Sequence, residues 1–191
     1  LGGSQHAGGS EYLNALLDEV GIWQKTLGRK DIEAIYNSQK ALDLKYDAGD
    51  YDIANELAVY YKMEDRTGTT MTDVSGNSHD GTINGATWVS GGVESTSYDN
   101  TVRGEAPSGG NALSFDGSDD YVSISNNIAG TYSAFTVSSW VKIDDYGDNN
   151  PNFILDLGSS GNGRRINLSI SSSGFNGSLE GVGSNIFDIN V

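Results

Sequence analysis

Leu16-Leu17-Asp18-Glu19-Val20-Gly21-Ile22-Trp23 decides how this chain is read. With Leu13 it forms a nearly continuous apolar run, the pattern of a strand buried on both faces, with Trp23 at its end. A helical pattern follows over 28–42. Ile32, Ile35, Tyr36 and, more loosely, Ala41 and Leu42 recur at three- and four-residue steps, while Arg29, Lys30, Glu33 and Lys40 fall on the opposite side. Thr26 or the turn at Gly28 supplies the helix start. Lys45 to Asn55 then carries Asp47, Asp50 and Asp52 with weak periodicity, so 46–56 reads as a connector.

Beyond the connector, short apolar and β-branched runs bounded by Gly, Asn, Asp and Ser predict strands at 57–62, 81–89, 111–115, 121–125, 134–143, 153–157 and 166–170, with a weaker one at 186–191. Residues 91–110 read as a long loop without apolar periodicity. Within 134–143, alternation places Phe135, Val137 and Val141 on one face and Thr136, Ser138, Trp140 and Lys142 on the other. The first of these faces is expected to be core.

Composition agrees with many short strands. The chain has 191 residues with 26 Gly, 2 Pro and no Cys, and its formal charge is -15. That length allows one substantial core. The acid excess, with no Lys/Arg cluster to offset it, repels phosphate backbones and anionic lipid surfaces, so nucleic-acid binding is disfavoured. Such an excess suits divalent cations, cationic partners or plain solubility in salt. Without cysteine there are no disulfides and no zinc thiolate sites. No apolar stretch reaches membrane-spanning length, so membrane insertion is not expected. The Gly-rich opening, 1–10, lacks a signal-peptide pattern and an initiator Met, and the expectation is a piece cut from a longer protein.

The stretches "LDEVGIW", "VYYKMED", "DVSGNSHDGTINGATW", "NALSFDGSDDYVSI" and "FTVSSWVK" resemble the laminin G-like branch of the concanavalin A-like jelly rolls. In that family a strand like the first closes the domain, and segments like the others open it. The resemblance implies an all-β fold, an antiparallel β-sandwich (jelly roll) with one short helix after the closing strand. It also implies an inverted order: residues 1–45 as closing strand and helix, 46–56 as connector, and 57–191 as opening and central strands. A hairpin like "WHHVAVTYDG…LYVDG", which the family pattern places next, is absent from 175–191 and from 1–11. Three arrangements satisfy this order: a cut from a tandem array, a circular permutation, or a subunit whose N-terminal strand and helix complete a neighbouring copy. The gaps in the middle strands favour the tandem cut.

Asp73-Val74-Ser75-Gly76-Asn77-Ser78-His79-Asp80-Gly81 is dense in oxygen donors. Calcium needs six to eight hard oxygens at about 2.4 Å, and such a turn offers several of them. The same turn also reads as an Asx-rich loop bonding its own backbone, and the residues alone leave both readings open. The family resemblance implies a structural Ca²⁺ held by the side chains of Asp18, Asp73 and Asn77, with His79 lending its backbone carbonyl. A second acidic turn, Asp116-Gly117-Ser118-Asp119-Asp120, is expected as a tight hairpin connection. A third group, Asp144, Asp145, Asp148, Asn149 and Asn150, lacks EF-hand spacing and reads as a solvated loop.

For sugar recognition the candidates are Trp140, on the polar face of its strand, and Trp88 with Tyr98; burial beneath a loop is the competing role for a Trp in a sandwich. Catalysis is not expected. The Glu-x-Asp-x-x-Glu pattern of jelly-roll glycosidases is missing, and Asp18/Glu19, Glu64/Asp65 and Asp119/Asp120 fall on opposite strand faces or in turns. His6 and His79, the two histidines, neighbour no convincing nucleophile. The expected function is a non-catalytic, calcium-stabilised recognition module, secreted or surface-exposed, with a carbohydrate or cell-surface ligand. The alternative is an architectural subunit of a filament or fibre, with neighbouring copies or domains of the same protein as partners.

Overall fold

The computed structural model describes residues 1–6, 9–36, 41–92, 95–96, 110–124, 128, 134–146, 152–158, 165–180 and 187–189. Among these the chain is almost entirely antiparallel β-structure. Its strands are β1 (Gly3–His6), β2 (Gly9–Tyr12), β3 (Asn14–Trp23), β4 (Ala41–Leu42), β5 (Leu57–Tyr61), β6 (Thr70–Met71), β7 (Gly81–Asn84), β8 (Thr87–Gly92), β9 (Ser95–Thr96), β10 (Gly110–Asp116), β11 (Tyr121–Ile124), β12 (Thr136–Ile143), β13 (Asn152–Gly158), β14 (Arg165–Ser171), β15 (Gly174–Glu180) and β16 (Phe187–Ile189). One α-helix, α1 (Arg29–Tyr36), follows β3.

β3, the strand that carries Leu16 to Trp23, is the hub of the first sheet, ordered β12-β3-β10-β8. β12 runs along one side of β3, from Thr136 opposite Trp23 to Ile143 opposite Ala15. The other side is shared. β10 covers Asn14 to Leu17, and β5 covers Val20 to Trp23. The segment at 14–23 and the strands between 57 and 143 therefore lie in one sheet of one chain.

The second layer consists of β11-β7-β6 and β13-β14-β15-β16. Leu1 and Gly2 lie between these two sheets: Leu1 and Val122 exchange backbone hydrogen bonds at 2.8 and 2.9 Å, and Gly2 N donates to Ile154 O at 3.0 Å. One core fills the space between the layers. It takes Leu17, Val20, Ile22, Leu113 and Phe115 from the first sheet, and Met71, Ile83, Val122, Ile154, Leu155 and Ile170 from the second layer. Val137 and Val141 pack against it from β12, the face that alternation assigned to core.

A smaller core lies on the other side of β3, where Trp23, Leu27, Ile35, Leu42, Leu44, Tyr51, Ile53, Leu57 and Tyr60 cluster. This explains the unbroken apolar run in β3, since its two faces serve two cores. The stretch expected as a connector contributes to this second core, with Tyr51 and Ile53 both buried. Trp23 and Tyr51 meet edge to face, with ring centroids 6.5 Å apart.

Several boundaries differ from the sequence reading. The helix stops at Tyr36, and Ala41–Leu42 is a strand pairing parallel with β9, because both residues are drawn into the second core. The helix start is at Gly28, whose N–H donates to Asp31 Oδ2 at 3.0 Å while Ile32 N donates to Gly28 O. The single strand expected at 81–89 is split into β7 and β8 at Gly85, whose φ is 81°. The hairpin β1/β2, the short β6 and the strand β15 were not anticipated. The Asp116–Asp120 turn is not a hairpin: β10 pairs with β3 and β8, β11 pairs with β7, and the turn carries the chain from one layer to the other.

Candidate functional site

The oxygen-rich turn folds onto the outer edge of β5. Asp73 Oδ1 accepts from Tyr60 N and Ser75 N, and Oδ2 accepts from His79 N, each at 3.0 Å. Val74 N donates to Tyr60 O at 2.9 Å, and Asn77 Nδ2 donates to Leu57 O and Ala58 O at 2.9 and 3.0 Å. The Tyr61 hydroxyl donates to His79 O at 2.5 Å, and Asp80 Oδ1 accepts from Asp73 N at 2.8 Å. An edge strand exposes unpaired backbone groups, and here side chains of the turn satisfy them. Asp73, Asn77 and His79 are thus brought together, with both carboxylate oxygens of Asp73 holding backbone N–H groups.

Asp18 lies elsewhere on β3, opposite Trp140. Two residues of β3, Glu19 and Val20, face one residue of β12 between the Gly21/Ser138 and Asp18/Trp140 pairs, which makes a β-bulge. Glu19 adopts φ 50° in this bulge, a left-handed conformation unusual for a residue with a side chain. The bulge sits where β10 gives way to β5 as the neighbour of β3. Asp18 and Glu19 are 3% and 2% exposed, and their carboxylates go to different neighbours.

Asp18 Oδ1 accepts from Glu19 N at 2.8 Å, and Oδ2 lies against Gly92, where a Cβ would come within 2.5 Å of it. Glu19 Oε2 instead accepts the Tyr60 hydroxyl. Burial, reinforced by the Glu19 charge, holds that hydroxyl far above the usual tyrosine range. Just beyond the end of β5, Lys62 pairs with the buried Asp43 at 3.0 Å.

Three carboxylates do converge at the turn between the layers. Ligand oxygens of Asp116, Asp119 and Asp120 lie within 4.8 Å of one another, a spacing that a single cation can bridge. Asp116 Oδ1 accepts from Ser118 N at 2.8 Å and Asp120 Oδ2 accepts from Asp116 N at 2.9 Å, which leaves each carboxylate a second oxygen. Burial, with the charges of Asp116 and Asp119 beside it, raises the Asp120 carboxyl above the usual range. A hard cation suits this donor set, since it would offset the mutual repulsion. Asp-Gly signals a turn in the sequence, but spacing along the chain does not reveal where the carboxylates point.

Among the aromatic candidates, Trp88 packs against the main core and its Nε1 donates to Gly68 O at 3.0 Å. Trp140 is half-buried in β12. Tyr98 lies outside the described residues, as do Asp148, Asn149 and Asn150. A polar groove of about 440 Å³ opens at the ends of β3 and β5, beside the Asn77–His79 turn. Its residues Gln24, Asn55 and Glu56 were not singled out in the sequence, because they carry no spacing signature.

Residues 116–190 match a family model described as the concanavalin A-like lectin/glucanases superfamily. The match bears out the resemblance drawn from the sequence, and with the antiparallel two-layer architecture it bears out the all-β sandwich. Comparison with curated proteins and with solved structures returns no match. The family description spans both binding proteins and hydrolases. No helix among the described residues is long and apolar enough to cross a membrane.

Proposed function

We propose that this chain is a non-catalytic recognition module of an extracellular or surface-exposed protein, binding carbohydrate and stabilised by calcium. The observation that carries the reading is the lectin/glucanase family match over 116–190, on a chain that folds as an antiparallel sandwich. The acid excess of the sequence supports a neutral ligand over an anionic one. For calcium, the supporting observation is the convergence of Asp116, Asp119 and Asp120. Those side chains would supply three of its oxygens, and the ion would pin the crossing between the two layers. Asp18, Asp73, Asn77 and His79 remain the alternative set, with Asp73 needing to share oxygens that already accept three N–H groups.

Glycan-array binding tests the recognition reading, and absence of binding to every carbohydrate would sink it. Calcium is tested by thermal unfolding with added CaCl₂ and with chelator. Wild type should melt higher with calcium, and the increment should shrink in Asp119→Asn, a change at an exposed side chain. An equal increment in both proteins would place the ion elsewhere, and no increment in either would remove it.

A further inference from the structure

We propose that β12 is a self-association edge: two copies of this chain pair their β12 strands antiparallel about a two-fold axis, joining their first sheets into one continuous sheet. The proposal is independent of carbohydrate recognition.

Two observations single out this edge. β3 occupies one side of β12, and among the described residues no strand occupies the other. The remaining edges of both layers are covered or short. The turn around Asp73 satisfies β5, Leu1 bonds to β11, and Gly2 bonds to β13. β6 and β16 have two and three residues, and β8 ends in two glycines, with φ 112° at Gly91. β12 has eight residues without Pro or Gly and with one charge, Lys142. The bulge at Glu19 lies in β3, so β12 itself alternates regularly. A long edge without such protection is a template for another strand.

The core is also unfinished on that flank. Leu17 of β3, Leu113 of β10, and Ile154 and Leu155 of β13 are fully buried. Val137, Val141 and Ile143 of β12 pack on the same core but stay partly exposed, as do Leu168 of β14 and Phe175 of β15. A strand added beside β12 would remove apolar surface there from water.

The sequence of β12 selects a second copy as its occupant. Keeping the apolar faces of both copies on one side of the joined sheet requires residues of like parity to face each other, and a two-fold axis through Trp140 does this. On the core side Val137 then faces Ile143 of the other copy, and Ser139 faces Val141 of the other copy. On the outer side the two Trp140 rings meet, a favourable cross-strand pair.

Charge agrees with this register. Each Lys142 faces the uncharged Ser138 of the other copy. Asp144 reaches the Thr136 end of the other strand, where the Thr136 hydroxyl donates to Lys25 O at 2.8 Å, so an acidic end meets the segment that carries Lys25. The Lys25 ammonium bonds Glu56 at 3.3 Å and has further N–H groups for a second carboxylate. Parallel pairing would instead set Asp144 and Asp145 beside their own counterparts. The net charge of -15 opposes approach, but physiological salt screens it beyond about 8 Å, so the groups in contact decide.

The test is sedimentation velocity of the full chain over a concentration series in physiological salt, with hydrogen exchange at low and high concentration. The expected species is a dimer and nothing larger, with β12 amides gaining protection as concentration rises. Ser138→Lys sets like charges opposite each other on both sides of the axis and should weaken the dimer about tenfold. Adding Lys142→Glu turns both contacts into opposite-charge pairs and should restore it. Both positions lie on the outer face, half-buried and exposed, and thermal melting checks that each variant folds.

A folded wild type that stays monomeric would overturn the proposal, and so would β12 protection that ignores concentration. Undiminished dimerisation of Ser138→Lys, or no recovery with Lys142→Glu, would overturn it as well. Assembly beyond the dimer would do the same, since a two-fold contact closes on itself. The exchange measurement needs no variant and decides the matter even if Ser138→Lys does not fold.

Discussion

Replacing Asp73 by Ala should destabilise the fold by about 2–6 kcal/mol through backbone groups alone. The carboxylate accepts three N–H groups, all at 3.0 Å. The Tyr60 N–H is buried, and leaving such a donor unsatisfied costs about 1–3 kcal/mol. The N–H groups of Ser75 and His79 lie in a partly exposed turn where water can replace the oxygen, so each contributes about 0.5–1.5 kcal/mol. Against a typical stability of about 5–15 kcal/mol the loss is large. Urea unfolding followed by far-ultraviolet circular dichroism measures it, run once with excess calcium and once with chelator. Asp73→Asn should fall between the two proteins, because it keeps one carbonyl oxygen for Tyr60 and Ser75 but turns an amide group toward His79 N–H. A loss below about 0.5 kcal/mol would refute this account of the turn. So would a loss that appears with calcium and vanishes with chelator, since the carboxylate would then act through an ion.

Tyr60→Phe removes the hydroxyl that donates to the buried Glu19 carboxylate and should cost about 1.5–3 kcal/mol in the same assay; an unchanged unfolding midpoint would show that this contact contributes nothing. Gly21→Ala places a methyl group 2.7 Å from Leu44 Cδ1 and from the Trp23 ring, forcing the second core off β3 at a cost of about 1–3 kcal/mol, read by the midpoint and by Trp fluorescence. Tyr51, Tyr60 and Tyr61 have hydroxyls raised well above the usual value of about 10, mainly by burial. Their neutral forms favour the fold, so that stability is fully present below the unfolded value and is lost as pH rises above it. Ultraviolet titration should therefore show these three of the 10 tyrosines ionising together with unfolding; early, reversible ionisation of all 10 would contradict their burial.

Much of the sheet architecture was legible because it rests on local pattern. The apolar run of β3, the alternation of β12 and the short runs that became β5, β10, β13 and β14 each carry their own period. Elements decided by distant packing were not legible. Ala41 and Leu42 continue a helical spacing, yet the second core and β9 claim them as a strand. The Gly-rich β15 lacks the apolar alternation that marks a strand and is held by pairing with β14. At the candidate sites, the donor-rich turn was visible as composition, but whether Asp73 faces an ion or the edge of β5 depends on a strand 13 residues away. The convergence of Asp116, Asp119 and Asp120 depends on a chain crossing that Asp-Gly does not specify. The bulge at Glu19 was hidden because a carboxylate residue stands where a positive φ would ordinarily call for glycine.

The placement of β3 at the hub also shapes how the molecule comes into being. Made before all three of its partners, it meets β5 only after residue 57, β10 after residue 110 and β12 after residue 136. Such remote pairing gives a high contact order, and chains of that kind fold slowly. During ribosomal synthesis one of the most apolar segments emerges long before its neighbours do, and for that interval it is a sticky strand in want of a sheet, which is the condition under which chaperones become necessary.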